Sequence, residues 1–153
     1  MKVMTVKTST AGKLGRDGGG VRYELGIAEG DNGMPSVQVR MVENIDSKGV
    51  YGRSWVAVSG LIKAAKDGTG KDGTFASSAL FSACPSRSRN DPSFMAAILV
   101  QEGLVERAPE HRLRFTDLSM DTWIKQVTGN EGTDGYEKPA RKPQRKKGKK
   151  TNG

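Results

Sequence analysis

The stretch "NDPSFMAAILVQEGLVERAPEHRLRF", Asn90 to Phe115, constrains the fold more than any other part of this chain, because it encodes where a helix starts, where it stops and which element comes next. Asp91 suits an N-cap. Pro92 suits the first helical position, where its missing N–H costs no hydrogen bond. Phe94, Met95, Ile98 and Leu99 then recur at helical spacing as an apolar stripe. Gly103 suits the left-handed position just past a helix end, and Leu104 can fold back on Leu99, the contact that accompanies such an ending. "LVER" and "HRLRF" then pair around Ala108-Pro109-Glu110 as a short antiparallel ribbon. A rod that turns at a glycine into a ribbon excludes one long helix here.

Upstream the hydrophobic period is two. In "VRYELGIAE" the residues Val21, Tyr23, Leu25 and Ile27 point one way, and Arg22, Glu24, Gly26 and Ala28 the other. "GDNGMP" is turn chemistry. "SVQVRMVEN" alternates again, with Val37, Val39 and Met41 opposite Gln38 and Arg40, which predicts an antiparallel hairpin. Met1 to Val6 is a candidate third strand, and "TSTAGKLGRDGGG" reads as a flexible loop. From Ser54, a candidate N-cap, the period becomes helical through Trp55, Val58, Ile62 and Ala65. Thr74 is a candidate cap for a second helix carrying Phe75, Leu80 and Phe81 and ending near Pro85. A last helix is expected from about Leu118 to Val127, with Met120, Trp123, Ile124 and Val127 on one face.

The order helix, helix, helix, two-stranded ribbon from Ser54 to Phe115 resembles a winged helix-turn-helix domain, and "AAILVQEGLVERAPEHRLRF" carries most of the likeness. The resemblance implies that the third helix enters a DNA major groove while the wing and nearby loops touch phosphates. The expected fold is α+β: an N-terminal antiparallel β-hairpin region (1–52), a winged-helix-like helical body (53–128) and a disordered basic C-terminal tail (129–153).

Charge is divided unevenly. From Lys138 to Gly153 there are eight basic residues and no acidic one, whereas the preceding 137 residues hold 17 of each sign. All of the formal net charge of +8 therefore belongs to "KPARKPQRKKGKK". Its glycine, proline and charge cannot bury enough apolar surface to offset the entropy of ordering. The candidate phosphate-binding residues of this segment are Lys138, Arg141, Lys142, Arg145, Lys146, Lys147, Lys149 and Lys150. In the body, Arg87, Arg89 and Asn90 precede a helix N-terminus, whose unpaired N–H groups favour anions. Arg112 and Arg114 share one face of the wing, and Arg107 is a candidate to join them. Such contacts position a nucleic-acid backbone without reading sequence. The third helix itself offers Ser93, Ala96, Ala97, Val100 and Gln101 as its outward face, and only Gln101 is a base-reading type. Ala96, Ala97, Val100 and Gln101 therefore form the alternative site, a docking face for a host or partner protein, unless the N-terminal hairpin buries that face.

Catalytic chemistry has little to work with. His111 is the single histidine and Cys84 the single cysteine, so no intrachain disulfide and no His/Cys zinc set can form. "AGKLGRDGGG" lacks the Gly-Lys-Ser/Thr ending of a phosphate-binding loop. No cofactor or metal is expected. The first run, "MKVMTVKTST", has no apolar stretch of secretory length, and no run approaches the ~20 apolar residues of a spanning helix. The expectation is a cytoplasmic, non-enzymatic nucleic-acid-binding protein, bacterial or from a phage, with DNA ahead of RNA, serving as a regulator or accessory factor.

Overall fold

The computed structural model describes residues 2–14, 20–30, 33–45, 51–85, 88 and 90–129. Four strands, β1 (Met4–Ala11), β2 (Gly20–Glu29), β3 (Pro35–Ile45) and β4 (Val56–Ala57), form one antiparallel sheet in sequence order. The alternation in the sequence sets its faces. Tyr23 lies opposite Met41 and Leu25 opposite Val39, and all four are buried. On the outward face Arg22 pairs with Glu43 at 2.7 Å and Arg40 with Glu24 at 2.8 Å. At Gly26 a Cβ would run into the Val3 side chain and lie 2.9 Å from the Trp55 ring, so only glycine fits that pleat.

The predicted hairpin is present. β1 reaches further than expected, because the alternating β-branched residues of "TSTA" continue the strand rather than open the loop. Helix α1 (Val58–Asp67) starts later than the period implied, and Ser54 is not its cap. Val56 is spent on pairing with Val39, and Trp55 lies on the outward face of the sheet with the Arg40 guanidinium 4.5 Å from its ring centroid. Thr74 caps nothing: its N–H and hydroxyl both donate to Asp72 Oδ1. The second helix is a 3-10 helix, Ser77–Ala83, that buries Leu80. Phe75 precedes it in extended conformation and exchanges backbone hydrogen bonds with Leu113, at 2.8 and 2.9 Å.

Helix α2 (Asp91–Gln101) has Asn90 as its N-cap, one residue before the expected Asp91. It ends as the sequence reads: Gly103 has φ +85°, its N–H donates to Val100 O and that of Leu104 to Leu99 O, each at 3.0 Å. Pro92, Phe94, Met95, Ala96, Ala97, Ile98 and Leu99 are all buried. Burial on most sides comes from the elements that pack on the helix: β1 and β2, the 3-10 helix, and β5 (Val105–Ala108). Each large apolar side chain so buried stabilises the fold by about 1.5–3 kcal/mol. β5 pairs with β6 (Arg112–Phe115). Their turn holds Glu110 and His111 at φ +63° and +61°, with the Arg112 N–H donating to Pro109 O at 3.3 Å.

Residues up to Ser119 form one compact unit, and a second begins at Met120. Within the second, helix α3 (Met120–Thr128) starts two residues later than predicted. Asp121 in its first turn and Lys125 in its last suit the helix dipole, and Gly129 comes after it at φ +82°. Among the described residues no helix is long and apolar enough to cross a membrane.

Candidate nucleic-acid interface

The β5–β6 ribbon places its arginines by the parity of its register. Arg114 lies opposite Glu106, and Arg112 opposite Ala108, so both arginines share one face. Arg107 lies opposite Leu113 and therefore belongs to the other face, where it is exposed. The expectation that it joins Arg112 and Arg114 is corrected by that pairing, since residues directly opposite in a ladder point the same way. Arg112 is committed to the fold. Its Nε donates to Thr74 Oγ1 at 2.8 Å and its Nη2 to Thr74 O at 3.0 Å. Thr74 can receive it because its own hydroxyl proton goes to Asp72 at 2.8 Å. Those Thr74 bonds, backbone first and side chain second, hold the Asp72 carboxyl below its usual range. Arg114 donates from Nε to Glu106 Oε2 at 2.6 Å, with both side chains about half exposed.

At the start of α2, Asn90 is exposed and makes no side-chain capping bond, while Ser93 Oγ donates to Asn90 O. Arg87 and Arg89 lie outside the described residues, as do Lys138, Arg141, Lys142, Arg145, Lys146, Lys147, Lys149 and Lys150. Asp91 does something the sequence did not announce. Its carboxylate is buried in the first turn and accepts the Gly52 N–H at 2.9 Å. The positive end of the helix dipole is thus already satisfied by a carboxylate of the chain.

The docking face proposed for α2 is corrected by its burial. Ala96 and Ala97 are 0% and 2% exposed, while Val100 is half-buried and Gln101 exposed. The sheet covers the side of the helix that the apolar stripe alone left free. The same packing removes α2 from the position the resemblance implies for a groove-reading helix.

The outward face of the sheet carries arginines, paired with carboxylates there, that the sequence reading did not single out as a site. Arg22 and Arg40 share the outward face of the sheet, and Arg53 lies with its guanidinium 5.1 Å from the Tyr51 ring centroid. The strict alternation of β2 and β3 was the available signal for the first two. Tyr51 is held by its hydroxyl, which donates to Val42 O. Lys13 is buried, with Nζ 5.7 Å from the Phe94 ring centroid, a cation–π contact on α2 that the loop reading of its segment did not suggest. Among the described residues no three His, Cys, Asp or Glu side chains gather as a metal site. Comparison with protein-family models, curated proteins and solved structures returned no match.

Proposed function

We propose that this chain is a small non-enzymatic nucleic-acid-binding protein in which a winged-helix-like body carries a basic segment that holds phosphates irrespective of sequence. The separation of charge carries the reading: eight basic residues and no acid from Lys138 onward, against 17 of each sign before it. The body spends much of its positive charge internally. Lys7, Arg22, Arg40, Lys63 and Arg114 are each ion-paired to a carboxylate of the chain. A run of one sign with no acid interspersed acts as an electrostatic arm.

The order α1, 3-10 helix, α2, β5–β6, closed by the Phe75–Leu113 bridge, supports the winged-helix likeness. The burial of α2 argues for backbone contacts over base reading. DNA stands ahead of RNA on the resemblance alone, and a regulatory or accessory role fits sequence-independent binding. The test is a salt titration of binding to duplex DNA, single-stranded DNA and RNA, with the full chain and with a chain ending at Glu137. Each phosphate neutralised contributes a slope of about −0.7 to −0.9 in log affinity per log salt. The full chain should show a steep slope and the shortened one a weaker affinity and a shallower slope. Equal affinity and slope for the two would remove the arm from the account.

A further inference from the structure

The sheet ends on one side in a long unpaired strand. β1 pairs only with β2 among the described strands, so the backbone N–H and C=O groups along its other edge have no strand partner there. The strand is eight residues long, and all but Ser9 and Ala11 are exposed. Met4 is 68% exposed and Val6 41%, which puts two large apolar side chains on this single edge. Open edges of this length are templates for a further strand.

The sequence of β1 specifies what that strand can be. The register with β2 shifts between Thr5 and Lys7, so Val6 is a bulge residue. Thr5, Thr8 and Thr10 lie opposite Gly26, Glu24 and Arg22 and so share the outward face, while Met4, Lys7, Ser9 and Ala11 share the inward one. With the bulge removed, the strand has the same outward residue, threonine, on both sides of Thr8. An antiparallel pairing about a two-fold axis at Thr8 sets Thr8 against Thr8, Thr5 against Thr10, Lys7 against Ser9 and Met4 against Ala11. Every residue except the bulged Val6 then meets one on its own face, as a ladder requires. The strand's one charged side chain, Lys7, is never opposite itself and is neutralised by Glu102 of its own chain at 2.9 Å. Threonine pairs across a ladder are favourable and like charges directly opposite are not.

We propose that the partner of β1 is β1 of a second copy of this chain, joined antiparallel about Thr8 into one continuous sheet. The interface is isologous, as closed two-fold dimers require. Each copy brings its own basic segment, so the dimer would also present that segment twice. The pairing itself does not depend on nucleic-acid binding.

Thr8 is exposed and on the axis, so it reports the contact directly. Sedimentation equilibrium of the full chain over a dilution series should give twice the chain mass of 16.5 kDa. Thr8→Lys and Thr8→Glu, each with unchanged circular dichroism, should weaken association by about tenfold or more, because each sets two like charges against one another. Mixing the two variants should restore it. A wild-type chain that stays monomeric throughout, a Thr8→Lys chain that dimerises like wild type, or a mixture that fails to recover would each overturn the pairing. Should either charged variant unfold, Thr8→Cys serves instead: oxidation should cross-link the copies, and absence of the cross-link counts against the axis.

Discussion

Tyr23, in the middle of β2, donates its phenolic O–H to the carboxylate of Glu102 at the end of α2. Lys7 reaches the same carboxylate from β1 at 2.9 Å. The tyrosine is fully buried and the Glu102 side chain is only 4% exposed. A buried carboxylate is costly unless donors surround it, so these bonds fix where α2 ends against the sheet. The site lies one residue before Gly103, where the chain turns toward β5. Tyr23→Phe should therefore destabilise the protein by about 1–2 kcal/mol, the cost of taking a donor from a buried charged acceptor. Urea titration should show a lower midpoint with an unchanged slope, since the core keeps its extent.

Alkaline pH should loosen the fold by a traceable route. Burial, and secondarily the charge of Asp91, push the Cys84 thiol up from 9.0 to about 11. Burial raises the Tyr23 phenol as well, followed by the Glu102 charge and the hydrogen bond to it. Both groups keep their protons longer in the folded chain than in the unfolded one. Stability is then complete below the unfolded values and falls as pH rises, beginning near 9.0 for the thiol and 10.0 for the phenol. Melting temperatures measured from neutral pH to pH about 11 should decline over this window. In Cys84→Ala the decline should begin later, at the phenol. A wild-type curve that stays flat above the unfolded thiol value would refute the assignment.

What the sequence showed plainly was whatever a single local period or terminator determines. The alternation of Tyr23, Leu25, Val39 and Met41 specified the hairpin and its buried face. Gly103 specified the stop of α2, and it takes up the left-handed conformation read for it. The misses came where one residue had two competing uses. Ser54 and Trp55 looked like the start of a helix, but pairing of Val56 with Val39 and stacking of Trp55 under Arg40 claim that turn for the sheet. Ala96 and Ala97 looked outward because the stripe of Phe94, Ile98 and Leu99 accounts for one side of a helix. That β1 and β2 close over another side is a long-range fact, and the shortage of charge on α2 was the local trace that kept burial by the hairpin open as a reading. Arg107 was misassigned through register, because one residue of slip moves a side chain to the opposite face.

The two arginines on the common face of the β5–β6 ribbon should separate under mutation. Arg112 gives two hydrogen bonds to Thr74 and thereby ties β6 to the segment between α1 and the 3-10 helix. Its loss leaves the Thr74 hydroxyl without its donor in a buried place, while the Thr74 carbonyl keeps the Gly70 N–H at 2.9 Å. Arg112→Ala should cost about 1–3 kcal/mol of stability, the range for a bond from a charged donor. Among the described residues Arg114 pairs with Glu106 alone, in an exposed pair of the kind worth about 0–1 kcal/mol, so Arg114→Ala should leave the melting temperature nearly unchanged. If the wing touches phosphate, Arg114 is the arginine free to exchange its carboxylate for it, and Arg114→Ala should then reduce the salt slope of binding by about 0.7–0.9. Glu106→Gln should do the opposite, strengthening binding at low salt by releasing the guanidinium. Unfolding curves and salt titrations of the three variants check the argument together. A Glu106→Gln chain that binds no better than wild type, alongside an Arg114→Ala chain with the wild-type slope, would remove Arg114 from the phosphate contact.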